Sequence, residues 1–306
     1  MKFLLLGEFE KDKPTSTGTS SSVLQLVEYG KKLGHEVIYS DKPIKGDFDL
    51  YIFDAIRANL DAMSAFCKEL IDNKKKFVKV EHDYEFCNYR VMLNGVYPCD
   101  ECHKPCREKL IPFYKDLFEL SELVVFMSPG HRDIIQSVLG NSYKFVCIPP
   151  FIDTSVFKNQ NTPRDLGTVV YSGYFAYHKG MENMINFARA NPKLYFYFCG
   201  DDNDMWTGRS YVPTINLLGN SQHIKWVEPK KLAEIFAMSE FVMAYSECYE
   251  TFCKSVVEGY LCGCKILRND NIGAFSYDWD WDDGEEVRKN IEDAPKQFWG
   301  EMVKCC

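Results

Sequence analysis

Two glutamates frame the stretch of this chain with most chemistry in it. Glu250 closes a polar loop, Ser246-Glu-Cys-Tyr-Glu250, and Glu258 follows after seven intervening residues. The amphipathic run that begins at Thr251 carries Glu258 about two helical turns further on. Gly263 ends that run before a strand-like Lys265-Ile-Leu267. A helix starting near Thr251, Phe252 and Cys253 presents free backbone N–H groups and partial positive charge, which suits a diphosphate. On that reading Glu258 reaches ribose hydroxyls and Glu250 faces whatever the diphosphate carries. The plainer reading makes them a loop acid and a solvated helical acid.

A second constellation is separate. Cys87, Cys99, Cys102 and Cys106 offer a Cys-x2-Cys pair with two further thiols nearby. Four soft ligands suffice for a closed tetrahedral zinc site, and His103 could replace one thiolate. The spacing does not match the usual iron–sulfur run. The alternative is a loop of free thiols or a disulfide. A metal here is expected to be structural.

Positioning these groups takes a large scaffold. The chain has 306 residues, 46% hydrophobic and 26% charged, enough for two domains with real cores. Its net charge of −8 disfavours a dedicated nucleic-acid binder. Lys74-Lys75-Lys76 with Lys79 is the densest basic run and reads as a solvated helix end. Met1–Gly7 is too short for a signal peptide, and no apolar run reaches membrane-spanning length, so a cytoplasmic protein with no transmembrane segment is expected. The thirteen cysteines then read as thiols or metal ligands rather than a disulfide framework. Cys305-Cys306 reads as a frayed tail, with lipidation the alternative.

Short apolar strands alternate with helical patterns. In the first half the strands are Lys2–Leu6, Glu36–Tyr39, Leu50–Phe53, Phe77–Val80, Leu123–Met127 and Lys144–Ile148, with helices over Val23–Leu33 and Ala62–Asp72. Pro149-Pro150 opens a Pro-, Asn- and Thr-rich linker running to Asp165. Strands Thr168–Tyr171, Leu194–Cys199, Ile224–Trp226 and Phe241–Tyr245 follow, with helices Met181–Ala190 and Lys230–Met238. The pattern predicts an α/β protein with two open parallel-sheet domains, 1–150 and 151–306, facing a cleft. Ligands bind outside the carboxyl ends of such strands. Gly18, His82, Gly173, Gly200 and Glu250 all lie just past a predicted strand. The alternating Tyr277-Asp-Trp-Asp-Trp-Asp-Asp283 near the end predicts one packed aromatic side with its acids in water.

These residues bring a family into view. The chain resembles the retaining GT-B glycosyltransferases of glycosyltransferase family 4. The resemblance rests on Glu250 to Glu258 followed by Gly263, on Val170-Tyr-Ser-Gly173-Tyr174 followed by His178-Lys179-Gly180, and on Tyr195-Phe-Tyr-Phe-Cys-Gly200. In the first half it rests on Gly18-Thr-Ser-Ser, Gly34-His-Glu-Val37, Ile148-Pro-Pro-Phe-Ile-Asp153 and Val156-Phe157. It implies a GT-B fold of two Rossmann-like domains, the first facing the acceptor and the second binding the nucleotide-sugar, with a last helix crossing back. It implies transfer of a hexose or pentose from a UDP- or GDP-linked donor to an acceptor hydroxyl, with retention and without a catalytic metal. Glu258 would hold the ribose, Glu250 would face the donor sugar, and Lys179 with the helix N-terminus would stabilise the leaving diphosphate. Gly173, Tyr174, Gly200 and Gly18 would line the donor site. His82, in Val80-Glu-His-Asp-Tyr84, looks like that family's sugar-facing histidine. Two departures stand out: Tyr174 replaces the usual arginine, and Cys253 replaces a glycine. The expected acceptor is a saccharide or a lipid-linked saccharide. A hydroxylated DNA base is a less favoured acceptor, and a non-catalytic nucleotide-sugar binder is the other alternative.

Overall fold

The computed structural model describes residues 1–8, 18–56, 60–87, 89–91, 106–204 and 207–306. The chain forms two compact units. The first comprises the described residues up to Phe151 together with Ile291–Cys306, the second Ile152–Asn290.

The first unit holds a six-stranded sheet of β1 (Lys2–Leu6), β2 (Glu36–Ser40), β3 (Leu50–Phe53), β4 (Phe77–Glu81), β5 (Leu123–Phe126) and β6 (Phe145–Cys147). The order is β2-β1-β3-β4-β5-β6, every pair parallel. Its helices are α1 (Gly18–Lys32), α2 (Leu60–Asp72), α3 (Ile111–Leu120) and α4 (Pro129–Leu139). Phe3–Leu6 and Leu50–Phe53 are at most 2% exposed, the continuous apolar signature of strands covered on both faces. The start of α4 is fixed locally. Ser128 Oγ accepts the His131 N–H at 3.2 Å, and Pro129 fills the first helical position.

The second unit holds β7 (Asp165–Ser172), β8 (Tyr195–Cys199), β9 (Ser221–Ile224), β10 (Ser239–Ala244) and β11 (Lys265–Arg268) in the order β11-β10-β7-β8-β9, again all parallel. Helices α5 (Met181–Ala190), α6 (Val212–Asn216), α7 (Pro229–Met238) and α8 (Lys254–Leu261) connect them. Arg164 pins two helix ends at once: its guanidinium donates to Ser239 O at 2.5 Å after α7 and to Cys262 O at 2.5 Å after α8. A cation at carbonyl-rich helix ends is favourable for both.

The last helix, α9 (Gly284–Cys305), begins in the second unit and joins the first from Ile291 onward. Val287, Ile291, Ala294, Phe298 and Met302 form its buried stripe, each at most 3% exposed. Trp299 is also buried and donates its indole N–H to Leu26 O at 3.0 Å. Among the described residues no helix is long and apolar enough to cross a membrane.

Two local expectations are corrected. The strand placed at Ile224–Trp226 is Ser221–Ile224, and Trp226 lies beyond it, half exposed. Ser-Gln-His-Ile is polar because β9 is an edge strand. Lys79 is not part of a solvated helix end: it sits in β4, fully buried.

Candidate active site

In the second sheet the strand order reverses between β7 and β10, so the loops leaving these neighbouring strands diverge and open a crevice between them. The β7 loop runs through Gly173 and Tyr174 into a 3-10 turn, Tyr177–Lys179. The β10 loop runs from Tyr245 to Cys253. The two are stitched together: His178 O accepts the N–H groups of Glu247 (3.1 Å) and Cys248 (3.2 Å). Gly180 permits that contact. Its φ is +74°, and a Cβ there would stand 1.7 Å from Tyr245 O. Gly200, after β8, is as constrained, since a Cβ would stand 1.9 Å from Gly173 O.

The stitching brings Lys179 onto Glu250. Lys179 Nζ donates to both Glu250 oxygens, at 2.7 and 2.9 Å. Burial alone would depress the Lys179 pKa, but the Glu250 charge and hydrogen bonds outweigh it and raise it. Burial likewise pushes Glu250 up, and Lys179 more than reverses this, leaving it below the usual carboxylate value. Ser246 Oγ stands 3.2 Å from Glu250 Oε1.

The Glu250 backbone is bridged to the segment after β11. Its N–H donates to Asn271 O at 2.8 Å, and its carbonyl accepts from Gly273 N at 2.9 Å. The side-chain amides of Asn269 and Asn271 both donate to Ser246 O, at 2.8 and 2.9 Å. These asparagines position the acid loop and escaped the sequence reading. The polar run Asn269-Asp-Asn271 directly after a strand was their signal. Cys253 follows at φ +70° as the residue before α8, in the left-handed region that glycine prefers. On α8, Lys254 Nζ lies 3.8 Å from Glu258 Oε1, and Glu258 is 9% exposed. Burial raises the Glu258 pKa and lowers that of Lys254, each partly offset by the other.

Phe252 is 2% exposed, its ring packed edge-on against Tyr277 and Trp279. The aromatic–acidic segment thus has a place. Tyr277 stacks on Trp279 and Phe275 on Trp281, at 4.4 and 4.1 Å between centroids. Trp281 also meets Tyr260 of α8, while Asp278, Asp280 and Asp282 are exposed. The rings buttress α8 and the Glu250 loop.

In the first unit, Asp54 and His82 follow the neighbouring strands β3 and β4. His82 Nε2 donates to Asp54 Oδ1 at 2.6 Å, with their side chains 8% and 4% exposed. Asp54 was not foreseen, although its place directly after Leu50–Phe53 marked it. His131 anchors the His82 turn by donating from Nε2 to Asp83 O at 2.9 Å, while its Nδ1 accepts from Met127 N at 3.4 Å. Burial pushes the His131 pKa down to about 3, so the ring is neutral and both nitrogens keep these roles. Beneath lies a buried charge network in which Lys79 Nζ meets Glu81 at 3.0 Å and Glu85 at 2.8 Å. Glu81, Asp83 and Glu85 lie close enough to share a cation, but the Lys79 ammonium serves two of them.

Gly18 is the first residue of α1. Of the proposed zinc ligands, Cys87 is buried, Cys99 and Cys102 lie outside the described residues, and so does the Cys106 side chain.

No protein-family profile and no curated protein matches the sequence. Solved structures do match. Sucrose-phosphate synthase from Thermosynechococcus elongatus is similar with a TM-score of 0.70 at 14% identity, over 95% of this chain and 88% of that one. Anabaena HepE, in complex with UDP and glucose, matches with a TM-score of 0.64 at 13% identity, over 96% and 89% of the two chains. AviGT4, a glycosyltransferase involved in avilamycin A biosynthesis, matches with a TM-score of 0.61 at 13% identity, over 99% and 96%. With its two all-parallel α/β sheets, the chain has the GT-B glycosyltransferase fold.

Proposed function

We propose that the protein is a retaining glycosyltransferase of the family 4 type. It moves a hexose- or pentose-type sugar from a UDP- or GDP-linked donor to a hydroxyl of a saccharide or lipid-linked acceptor. The observation that carries this reading is the Lys179–Glu250 pair at the strand-order reversal, followed by α8 with Glu258 two turns along it. A diphosphate competes with Glu250 for the Lys179 ammonium and meets the N–H groups at the start of α8. Donor binding therefore transfers Lys179 from a carboxylate to a phosphate and leaves Glu250 facing the sugar. Glu258 accepts the ribose hydroxyls. Gly173 and Gly200 let the backbone come close, and Tyr174, Thr251 and Cys253 border the diphosphate. The buried Phe252 serves through its backbone and by supporting the loop. Negative charge that develops on the leaving phosphate is held by Lys179 and backbone dipoles, so no catalytic metal is required. The departing phosphate takes the acceptor proton, and sugar and acceptor oxygen stay on one face. His82 keeps the sugar-facing role that the family resemblance implies for it. HepE binds UDP and UDP-glucose, which supports a uridine donor as the first to try.

The test is a thermal-shift screen with UDP, GDP and UDP-glucose. A ligand at a hundred times its Kd should stabilise the protein by about 2.7 kcal/mol. At least one compound is expected to do so, and Glu258→Ala is expected to remove the shift. No response to any nucleoside diphosphate overturns the reading. Binding without transfer to any acceptor, and without slow donor hydrolysis, would leave a nucleotide-sugar binder instead.

A further inference from the structure

Lys254 is the first residue of α8, and its placement is a poor one for a lysine that only stabilises the fold. A cation at a helix start faces the positive end of the backbone dipole. The Lys254 side chain is 15% exposed, and burial lowers its pKa. Its acid, Glu258, stands four residues on, with Nζ 3.8 Å from Oε1, which is the less favourable order for a helical ion pair. The first turn of α8 contains no acid, and the Cys253 side chain before it caps none of its N–H groups. An open helix start beside a largely buried cation is complementary to an anion, and local rules are broken in this way where a site is built.

The same arrangement occurs twice. Lys179 is held by Glu250 and Lys254 by Glu258, so each acid proposed for the donor keeps a lysine compensated. Side chains on a helix lean toward its N-terminus, which sets Glu258 behind Lys254 and Lys254 toward the helix start. A nucleotide-sugar carries one negative charge on each phosphate, and the diphosphate gains another as its bond to the sugar breaks. Lys179 supplies one cation for them. Tyr174 supplies none, at the position where the resemblance would place an arginine.

We propose that Lys254 is the second cation of the donor site and binds the diphosphate. This role rests on the donor reading of Glu250, Glu258 and α8. Donor binding moves the Lys254 ammonium from Glu258 to a phosphate oxygen and releases the Glu258 carboxylate to the ribose hydroxyls. Ribose and diphosphate are thus coupled through one ion pair, and both of its members stay compensated before and after binding. Lys254 reads the phosphate alone, so a ligand with the same base and ribose but no phosphate gains nothing from it.

The test measures the full chain with UDP and uridine, and with GDP and guanosine, by calorimetry and, for the weaker nucleosides, saturation-transfer NMR. Lys254→Gln is expected to lower affinity for the diphosphate about tenfold or more, the worth of one hydrogen bond between charged groups, and to leave nucleoside affinity unchanged or higher. Lys254→Arg keeps the charge and is expected to retain most of the preference for the diphosphate. A lysine that only positions Glu258 would, in Lys254→Gln, lose nucleoside and diphosphate affinity by the same factor. That result, or unchanged diphosphate affinity, overturns the proposal. Circular dichroism verifies that each variant folds, and a second readout needs no variant. In trace acetylation of the unaltered chain, followed by mass spectrometry, the diphosphate at about ten times its Kd is expected to slow modification of Lys254 about fivefold, and the nucleoside is not. Equal modification with and without diphosphate also overturns it. Diphosphate binding to which Lys254 is indifferent removes this role and keeps the donor reading. No binding of any of the four compounds removes the donor reading itself, and this role with it.

Discussion

Lys179 Nζ lies within 2.7 and 2.9 Å of the two Glu250 oxygens, so the cation proposed for a leaving phosphate is held by the acid proposed for the sugar. On the proposed reading the pair is an internal substitute for the bound diphosphate. On that reading it keeps a partly buried carboxylate compensated until the donor arrives. It also means that the phosphate and Glu250 compete for a single ammonium group. Glu250→Gln removes the competitor's charge but keeps its shape. UDP is therefore expected to bind this variant as tightly as the unaltered protein or up to about tenfold more tightly, while sugar transfer falls about 100-fold or more. Lys179→Met is expected to weaken both. Calorimetry with UDP beside turnover with UDP-glucose separates them, and parallel loss of UDP affinity in Glu250→Gln would refute the competition.

The stitching between the two loops rests on Gly180. A methyl group there meets Tyr245 O at 1.7 Å with φ at +74°, so backbone and not only side chain must yield. Gly180→Ala is expected to cost about 3 kcal/mol or more, from overpacking plus left-handed strain, and to displace Lys179 from Glu250. Denaturant unfolding gives the cost. Retention of full stability and full UDP affinity would show that the loops can part freely.

The residues proposed for the donor side stand out in the sequence because each lies in a loop directly following its own strand, or on the helix that such a loop enters. Gly173, Lys179 and Glu250 are legible from their loops after β7 and β10, and Glu258 from its place on α8 just beyond. What stayed hidden was pairing across the chain. Asp54 meets His82 only because β3 and β4 are neighbours, and nothing local announces it. Lys79 looked like part of a surface basic run. In β4 the period of two puts Lys79 and Glu81 on one side, and burial follows from the partners that Glu81 and Glu85 provide. Helix α9 was obscured by Pro295 and by a high charge content, although Val287, Ile291, Ala294, Phe298 and Met302 keep helical spacing.

His131 should make stability depend on acid. In the fold its pKa lies near 3 against an ordinary 6.5, because burial disfavours the charged ring. Between those values the unfolded chain binds a proton that the native ring refuses. Stability from this group is therefore complete above pH 6.5 and lost as pH falls toward about 3, at about 1.4 kcal/mol per pH unit. His131→Gln is expected to be less stable at pH 7 and to show a shallower loss on acidification. Urea unfolding at a series of pH values measures both slopes. Identical slopes would mean that His131 titrates normally in the fold.

Cys253 explains why glycine is the more comfortable residue before α8. At φ +70° an L side chain crowds the following carbonyl, at roughly 1–2 kcal/mol, while glycine returns about 0.5–1 kcal/mol of that through its larger unfolded-state entropy. Cys253→Gly is thus expected to stabilise by between zero and about 1.5 kcal/mol. Cys253→Val, branched at Cβ, is expected to cost about 2 kcal/mol and to weaken UDP binding by disturbing the first N–H groups of α8. Thermal unfolding and UDP titration of the two variants decide the matter. Cys253→Gly should also keep UDP affinity, because the thiol, whose pKa burial pushes up to about 12, offers no thiolate to the site. A large loss of affinity in Cys253→Gly would instead make the sulfur itself part of donor binding.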